Sequence, residues 1–428
     1  MEISPYPADT HWSSSRKLGF RFLFIYFFLY LFPFPIGNLP WVDVVSTWVQ
    51  NGWNLLVPWV GETILGIEEP INTVFNGSGD RTFDYVQVFS FFFIALIGSI
   101  IWTLADRQRI NYERLNQALW IYVRYGLAIS VMGYGFAKVF KSQFPEPGFF
   151  RLLEPYGDSS PMGLAWTFMG YSKGYNYFTG IAELLAGLML FRKTATLGAL
   201  ITIAVMFNVV MMNFSFDIPV KLYSTHLLLM AVYVLSPDFK RIWNFFTHRE
   251  VDIPQRQFLI WPEKYNTARL VIKTLFLGYV LYSSIDQGLE IQKQWGDKAP
   301  KPHMYGLYQV DQFVMNGDTL PSLTTDTMRW QHLVIQWEGR THIQMMNDKF
   351  SHYNLEKDST EQTFTIYSRR DTVNKHYFTY DFVEGESLDL QGTWGTDTIS
   401  VEMSRRTKDD FLLLNRGFHW INEYPFNR

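Results

Sequence analysis

Residues 121–140 read IYVRYGLAISVMGYGFAKVF, a run apolar enough to cross a bilayer that nonetheless carries Arg124 and Lys138. A bilayer core about 30 Å thick needs roughly 20 apolar residues in a helix. An ionisable group near its centre costs at least roughly 2.5–3.5 kcal/mol and tends to face the bundle interior and pair. The stretch therefore predicts a membrane helix with a polar inner stripe. Arg124, Val131 and Lys138 recur every seven residues, which at about 100° per residue keeps them within about 40° of one another on one face.

The same reading extends to most of the chain before about residue 292, where the apolar residues concentrate; the remainder is an ordinary polar sequence. Seven segments approach the length of a span: about 18–37, 86–105, 118–140, 175–192, 195–214, 219–236 and 270–290. The fold class expected is an α-helical multi-span membrane bundle of about seven transmembrane helices over residues 1–291, followed by an all-β domain over 303–428. Lys and Arg outside the spans alternate in density, thirteen on the side of the amino terminus against four (Arg81, Lys141, Arg151, Lys173) on the other. By the positive-inside rule the amino terminus is cytoplasmic, and an odd number of crossings places the carboxy-terminal domain outside. This describes an integral membrane protein, of the inner membrane if bacterial. Pro33 and Pro35 close the first span, which reads as an uncleaved anchor. The segment 41–66, with Trp41, Trp48, Trp53 and Trp59, suits either the outer interface or an ordinary packed loop helix.

From residue 303 the pattern changes to short alternating runs: GLYQVDQFVM, WQHLVIQW, THIQMM, TFTIYS, HYFTYDF, TISVEM and DFLLLN, divided by turn residues such as the NGD at 316–318. These read as strands, and seven or eight of them without intervening helices predict an antiparallel meander, a lipocalin-like barrel or a sandwich. The closing RGFHWINEYPFNR reads either as a recognition surface or as a terminal strand and tail plugging the barrel.

The chain contains no cysteine, which excludes disulfides, thiolate metal sites, iron–sulfur clusters and thiol redox chemistry. His303, His332, His342, His352 and His376 lack metal-ligand spacing, so no metal is expected. A net charge of −3 without blocks of like charge gives no indication of nucleic acid.

The ionisable groups of the spans define the candidate site. Arg124 lies roughly 9 Å above the inner end of its helix, and Lys138 about 21 Å higher. Glu183, about 12 Å below the outer end of the next span, reads as the counter-ion of Arg124, and Gly180, Ala182, Ala186 and Gly187 allow close helix approach. A second cluster belongs to the outer half: Asn208, Asn213, Asp217, Lys221, Tyr223, Ser224, Thr225 and His226, at depths near Tyr134 and Lys138. The ligand-binding residues expected from it are Tyr134, Lys138, Glu183, Asn208, Asp217, Lys221 and His226, lining a polar pocket that opens outward beneath the loops 141–174 and 214–219. The plainer alternative is an ion pair that fixes helix register and end residues that snorkel.

Residues 118–236 resemble the four-helix DoxX-like membrane module: an early Arg in its first helix, a G-x-x-K near that helix's end (YGFAK), and an E-x-x-x-G in its second helix (AELLAG). The match carries to Arg124, Gly135, Lys138, Glu183 and Gly187, with a long insert at 141–174 and an added β domain as departures. The resemblance implies a membrane protein associated with quinone-linked or thiol-linked redox processes, and the lack of cysteine leaves the quinone. A weaker similarity is to the vitamin K-dependent carboxylase-like membrane proteins, which implies Lys138 or Lys221 as a base. Two functions are therefore expected to compete: a redox-associated protein binding a quinone or other apolar ligand between its helices, and a non-enzymatic scaffold or carrier whose outer β domain binds a lipid or an envelope protein. In both, the lipid bilayer is a partner.

Overall fold

The computed structural model describes residues 11–39, 42–251, 263–294, 296, 298–368 and 370–427; Trp41 of the aromatic segment lies outside the described residues. Contacts divide the chain into two units, one holding the residues up to 143 with 174–290, the other residues 144–173 with 291 onward.

The first unit is helical. Its elements are α1 (Ser14–Leu31), α2 (Asp43–Thr63), α3 (Thr82–Ala105) and α4 (Glu113–Val139). After the insert follow α7 (Lys173–Leu184), α8 (Ala195–Ser215), α9 (Lys221–Leu235), α10 (Phe239–Phe246) and α11 (Asn266–Gln294), with α5 (Phe149–Leu153) and α6 (Pro161–Tyr171) in the insert. Local sequence sets the ends. Ser13 caps α1 by accepting the Arg16 N–H at 3.2 Å, and Asp84 accepts the Arg81 N–H at 2.9 Å at the start of α3. The Asp80 carboxylate accepts the N–H groups of Lys221 and Leu222, both at 2.9 Å, so the linker before α3 caps α9. Val123, Leu127 and Val131 of α4 form the core with Met206 of α8 and Leu227, Met230 and Val234 of α9.

Among the described residues four helical segments, not seven, are long and apolar enough to cross a membrane: Ser14–Asn38, Thr82–Ala105, Ala195–Ser215 and Asn266–Gln294. The three remaining expected spans fall short for separate reasons. α4 is long, at 27 residues, but is interrupted by Glu113, Arg114, Arg124 and Lys138. α7 has 12 residues before the chain tightens into a 3₁₀ segment at Leu185–Leu190, giving the α-helical part only about 18 Å. α9 has 15 residues. α2 is a single helix in which Trp53 packs edge-on against Phe91 at 4.8 Å, while Trp48 and Trp59 face outward.

The second unit is built on a closed antiparallel barrel. Its strands are β1 (Gly306–Met315), β2 (Asp318–Thr319), β3 (Trp330–Trp337), β4 (Arg340–Met345), β5 (Phe350–Asp358), β6 (Thr363–Ser368), β7 (Asp371–Val383), β8 (Ser387–Trp394) and β9 (Asp397–Arg406). Each long strand pairs with the next, and β9 returns to β1, closing eight strands; the short β2 extends β1 as a hairpin. Asn316 and Gly317, with φ of 52° and 89°, supply the left-handed pair that a two-residue hairpin turn requires. Alternation sends Tyr308, Phe313, Trp330, Phe364, Phe378 and Val401 to the interior, and these side chains fill it, as eight strands allow. DFLLLN is not a strand: Thr407 and Asp410 form a capping box and Leu412–Asn415 makes a helical turn.

The insert packs on the barrel's outer surface. Phe149 joins Leu307 and Val334, Phe150 lies edge-on to Phe350 at 4.6 Å, and Lys408 Nζ meets Glu146 Oε2 at 3.1 Å. A Cβ at Gly148 would run into the Gln336 side-chain amide. The tail 416–427 neither forms a strand nor plugs the barrel, since Trp420 is 90% exposed.

Candidate functional site

Glycine brings the charged pair together. A Cβ on Gly135 of α4 would lie 2.8 Å from the Gly180 carbonyl oxygen of α7, and one on Gly180 would lie 2.9 Å from the Gly135 oxygen. The two backbones touch there, as small residues permit. One turn beyond each glycine stand Lys138 and Glu183, and Lys138 Nζ donates to both Glu183 oxygens at 2.6 and 2.7 Å. They are only 4% and 3% exposed.

This corrects the pairing expected from depth. Glu183 is held by Lys138, not by Arg124. The glycine crossing fixes the levels: Glu183 lies ~4.5 Å from it along α7 and Arg124 ~16 Å from it along α4, leaving ~12 Å between them by helical rise. The buried Arg124 guanidinium lies instead over Trp120, 4.5 Å from the ring centroid, and 5.2 Å from that of Tyr125, the cation–π arrangement. Trp120 Nε1–H in turn donates to Val234 O at 2.9 Å, binding α4 to α9.

Tyr134, one turn before Lys138, is 39% exposed, so the ion pair has an aromatic side chain at its edge. Its ring is 6.1 Å from Tyr223 of α9. Tyr223 and His226 stand three residues apart on α9, on adjoining positions of one helix face. His226 completes the group. Its Nδ1 lies 2.7 Å from Leu222 O and its Nε2 2.6 Å from Tyr26 Oη. A neutral imidazole protonated on Nδ1 satisfies both, donating to Leu222 O and accepting a hydrogen bond from the Tyr26 hydroxyl at Nε2. Tyr30 stacks on this ring at 4.3 Å and 8°.

The other expected site residues fall outside this line. Asn208 is exposed on α8. Asp217 and Lys221 pair with each other at 2.8 Å, and Lys221 lies 3.7 Å from Asp80, so both belong to the capped turn that starts α9. Asn213 donates to Ser224 Oγ at 2.9 Å and joins α8 to α9. Tyr26 and Tyr30 of α1 escape the sequence reading, although their four-residue spacing puts both on one helix face. Arg21 escapes it too. It is buried and donates to the Tyr112 hydroxyl, Thr103 Oγ1 and Asp106 O at 2.6–3.0 Å, tying α1 to the end of α3 and the start of α4.

In the barrel unit, His342 and His352 oppose each other across β4 and β5 with Nδ1 atoms 2.5 Å apart, beneath the Phe150 ring. His332 Nδ1 lies 2.9 Å from Gln344 Oε1. Burial pushes the His332 imidazole below its ordinary value, against the raising effect of Gln344.

Comparison with known proteins places part of this chain. It is 36% identical over 133 residues to the uncharacterized protein YwoB of Bacillus subtilis (strain 168), a match covering 30% of this chain and 82% of that protein. The chain belongs to the YwoB family. No family model matches it, and no solved structure does. The YwoB relationship carries no activity with it, because that protein is described only as uncharacterized.

Proposed function

We propose that this chain is a DoxX-like integral membrane protein that binds the polar head of an apolar ligand, a quinone in the first instance, between α4, α7 and α9. The observation that carries this reading is the line of polar groups running from the buried Lys138–Glu183 pair through Tyr134 and Tyr223 to Tyr30 and His226. A quinone presents two carbonyl oxygens that accept hydrogen bonds and a ring that stacks on aromatic side chains. The hydroxyls of Tyr134 and Tyr223 and the Lys138 ammonium supply donors of the right kind, and the partial exposure of Tyr134 offers entry from the lipid side. In the same proposal α1, α3, α8 and α11 cross the bilayer, the amino terminus and the ends rich in Lys and Arg face the cytoplasm, and the barrel is extracytoplasmic.

The test is mass spectrometry of the lipid extract of protein purified from native membrane, with ultraviolet difference spectra on reduction. A quinone at near-stoichiometric amount in wild type, and at least tenfold less in Tyr134→Phe/Tyr223→Phe of equal folding yield, is expected. Wild-type protein without quinone that also fails to take it up from quinone-loaded vesicles refutes the reading.

The exposed aromatic tail favours a second reading, a scaffold whose outer unit binds an envelope protein or lipid. Phe418, Trp420, Ile421 and Tyr424 all project from it, and Arg416 closes it into a hook, 4.2 Å from the Phe426 ring. If a chain ending at residue 415 keeps every cross-linked partner of the full chain, this reading fails.

A further inference from the structure

The helix that follows α9 has no role in the site above. α10 reads FKRIWNFF. At about 100° per residue Phe239, Ile242, Trp243 and Phe246 share one face, Lys240, Arg241 and Asn244 the other, and the exposed Phe245 falls at the border beside Arg241. Ile242 packs against the bundle core, whereas Trp243 and Phe246 remain 64% and 69% exposed.

The surroundings of α10 are basic. The Thr196 hydroxyl at the start of α8 donates to Asp238 Oδ2 at 2.6 Å, which brings Arg192 and Lys193, just ahead of α8, to the end of the bundle where α10 begins. Lys273 Nζ donates to Leu190 O at 2.8 Å, so the start of α11, which carries Arg269, is at the same end. Among the described residues, Asp238 is buried and engaged by Arg241 at 2.9 Å; Glu250 follows beyond the helix and Glu263 precedes α11. Exposed aromatic rings along one face of a short helix, with cations gathered at its start, match the two demands of a bilayer surface: an apolar boundary for the rings and negative headgroups for the cations.

We propose that α10, with Arg192, Lys193, Lys240 and Arg269, forms an interfacial platform that binds anionic phospholipid headgroups. The helix lies in the plane of the membrane with Trp243 and Phe246 at acyl depth. The cations select phosphatidylglycerol-type lipids over zwitterionic ones.

The chain's lack of cysteine makes the test direct. Full-length W243C, carrying a nitroxide and reconstituted in phosphatidylcholine discs with or without phosphatidylglycerol, is compared with I97C in α3 as a bilayer control and V373C on the barrel as a water control. Trp243→Cys is expected to be more accessible to oxygen than to a water-soluble nickel complex in the anionic discs. The variant R192Q/K193Q/K240Q is expected to lower the anionic-to-zwitterionic ratio of co-purified lipid at least threefold. Nickel accessibility at W243C equal to that at V373C overturns the proposal, and an unchanged lipid ratio overturns its headgroup part. Because I97C reports the bilayer independently, failure at α10 is distinct from failure of the membrane placement.

Discussion

Removing one member of the Lys138–Glu183 pair tests the central geometry most directly. Both groups are almost inaccessible, and Lys138 uses two hydrogen bonds of 2.6 and 2.7 Å to hold one carboxylate. Lys138→Met leaves a buried carboxylate without its cation, and breaking a buried pair in this way costs about 3–5 kcal/mol. At roughly 2–4 °C per kcal/mol for a unit of this size, that is a drop of about 6–20 °C in Tm. The double variant Lys138→Met/Glu183→Leu removes both charges and is expected to recover most of the loss, because a well-packed apolar pair is often neutral relative to a buried ion pair. Arg124→Leu serves as the control: it is expected to be additive with Glu183→Leu to within about 0.5 kcal/mol, as separated sites are. The assay is detergent-solubilised thermal unfolding of the four variants and their combinations. A double variant no more stable than the sum of its singles, or coupling of Glu183 to Arg124 larger than to Lys138, refutes the assigned pairing.

Gly135→Ala is expected to lose about 1–3 kcal/mol by overpacking, because its Cβ would meet backbone rather than a movable side chain; Tm checks this, and an unchanged value would mean the helices separate freely. Arg21→Met leaves the Tyr112–Asp106 network without its cation and is expected to cost about 1.5–3 kcal/mol, read in the same assay. The lowered His332 value gives a pH dependence of known sign. Protonation favours the unfolded chain, so the contribution of this histidine is complete above its unfolded value near 6.5 and is lost as pH falls below it. Protection of the β3 and β4 amides, corrected for the intrinsic pH dependence of exchange, should fall more in wild type than in His332→Gln between pH 7.5 and 5, and equal slopes would contradict the assignment. Trp420→Ala is expected to change stability, read from the shift in Tm, by no more than the roughly 0.5 kcal/mol typical of exposed sites; a larger loss would show that the tail is docked.

The sequence made the locations of the helices legible, because apolar blocks of the right length stand out whatever surrounds them. Continuity was not legible. Residues 185–190 are apolar and small enough to read as the rest of a span, yet the backbone tightens there to 3₁₀ geometry, a choice made by packing rather than composition. Strands β1, β3 and β6 match their alternating runs end to end. β5, FSHYNLEKD, was hidden because its alternation uses polar residues on the outer face and few large apolar ones on the inner. Three successive leucines made residues 410–415 resemble a strand, although the capping box at Thr407 was there to be read. The ion pair was misassigned because depth gives height along a helix and no point of contact. The contact was marked in the sequence by matched Gly-x-x-Lys and Gly-x-x-Glu spacings, Gly135 to Lys138 and Gly180 to Glu183, which place each charge one turn from the same crossing.

Closure of the barrel limits how this unit can recognise anything. β1 is hydrogen-bonded on one side to β3 and on the other to β9, and each remaining long strand has two neighbours. No long strand among the described residues is left as a free edge for an incoming peptide to extend along its length, as strand addition requires. Recognition by this unit must therefore be written in side chains: the insert on its wall, the turns at its ends and the aromatic hook that follows β9. A partner evolved for it would track substitutions at those positions and be indifferent to the strands themselves.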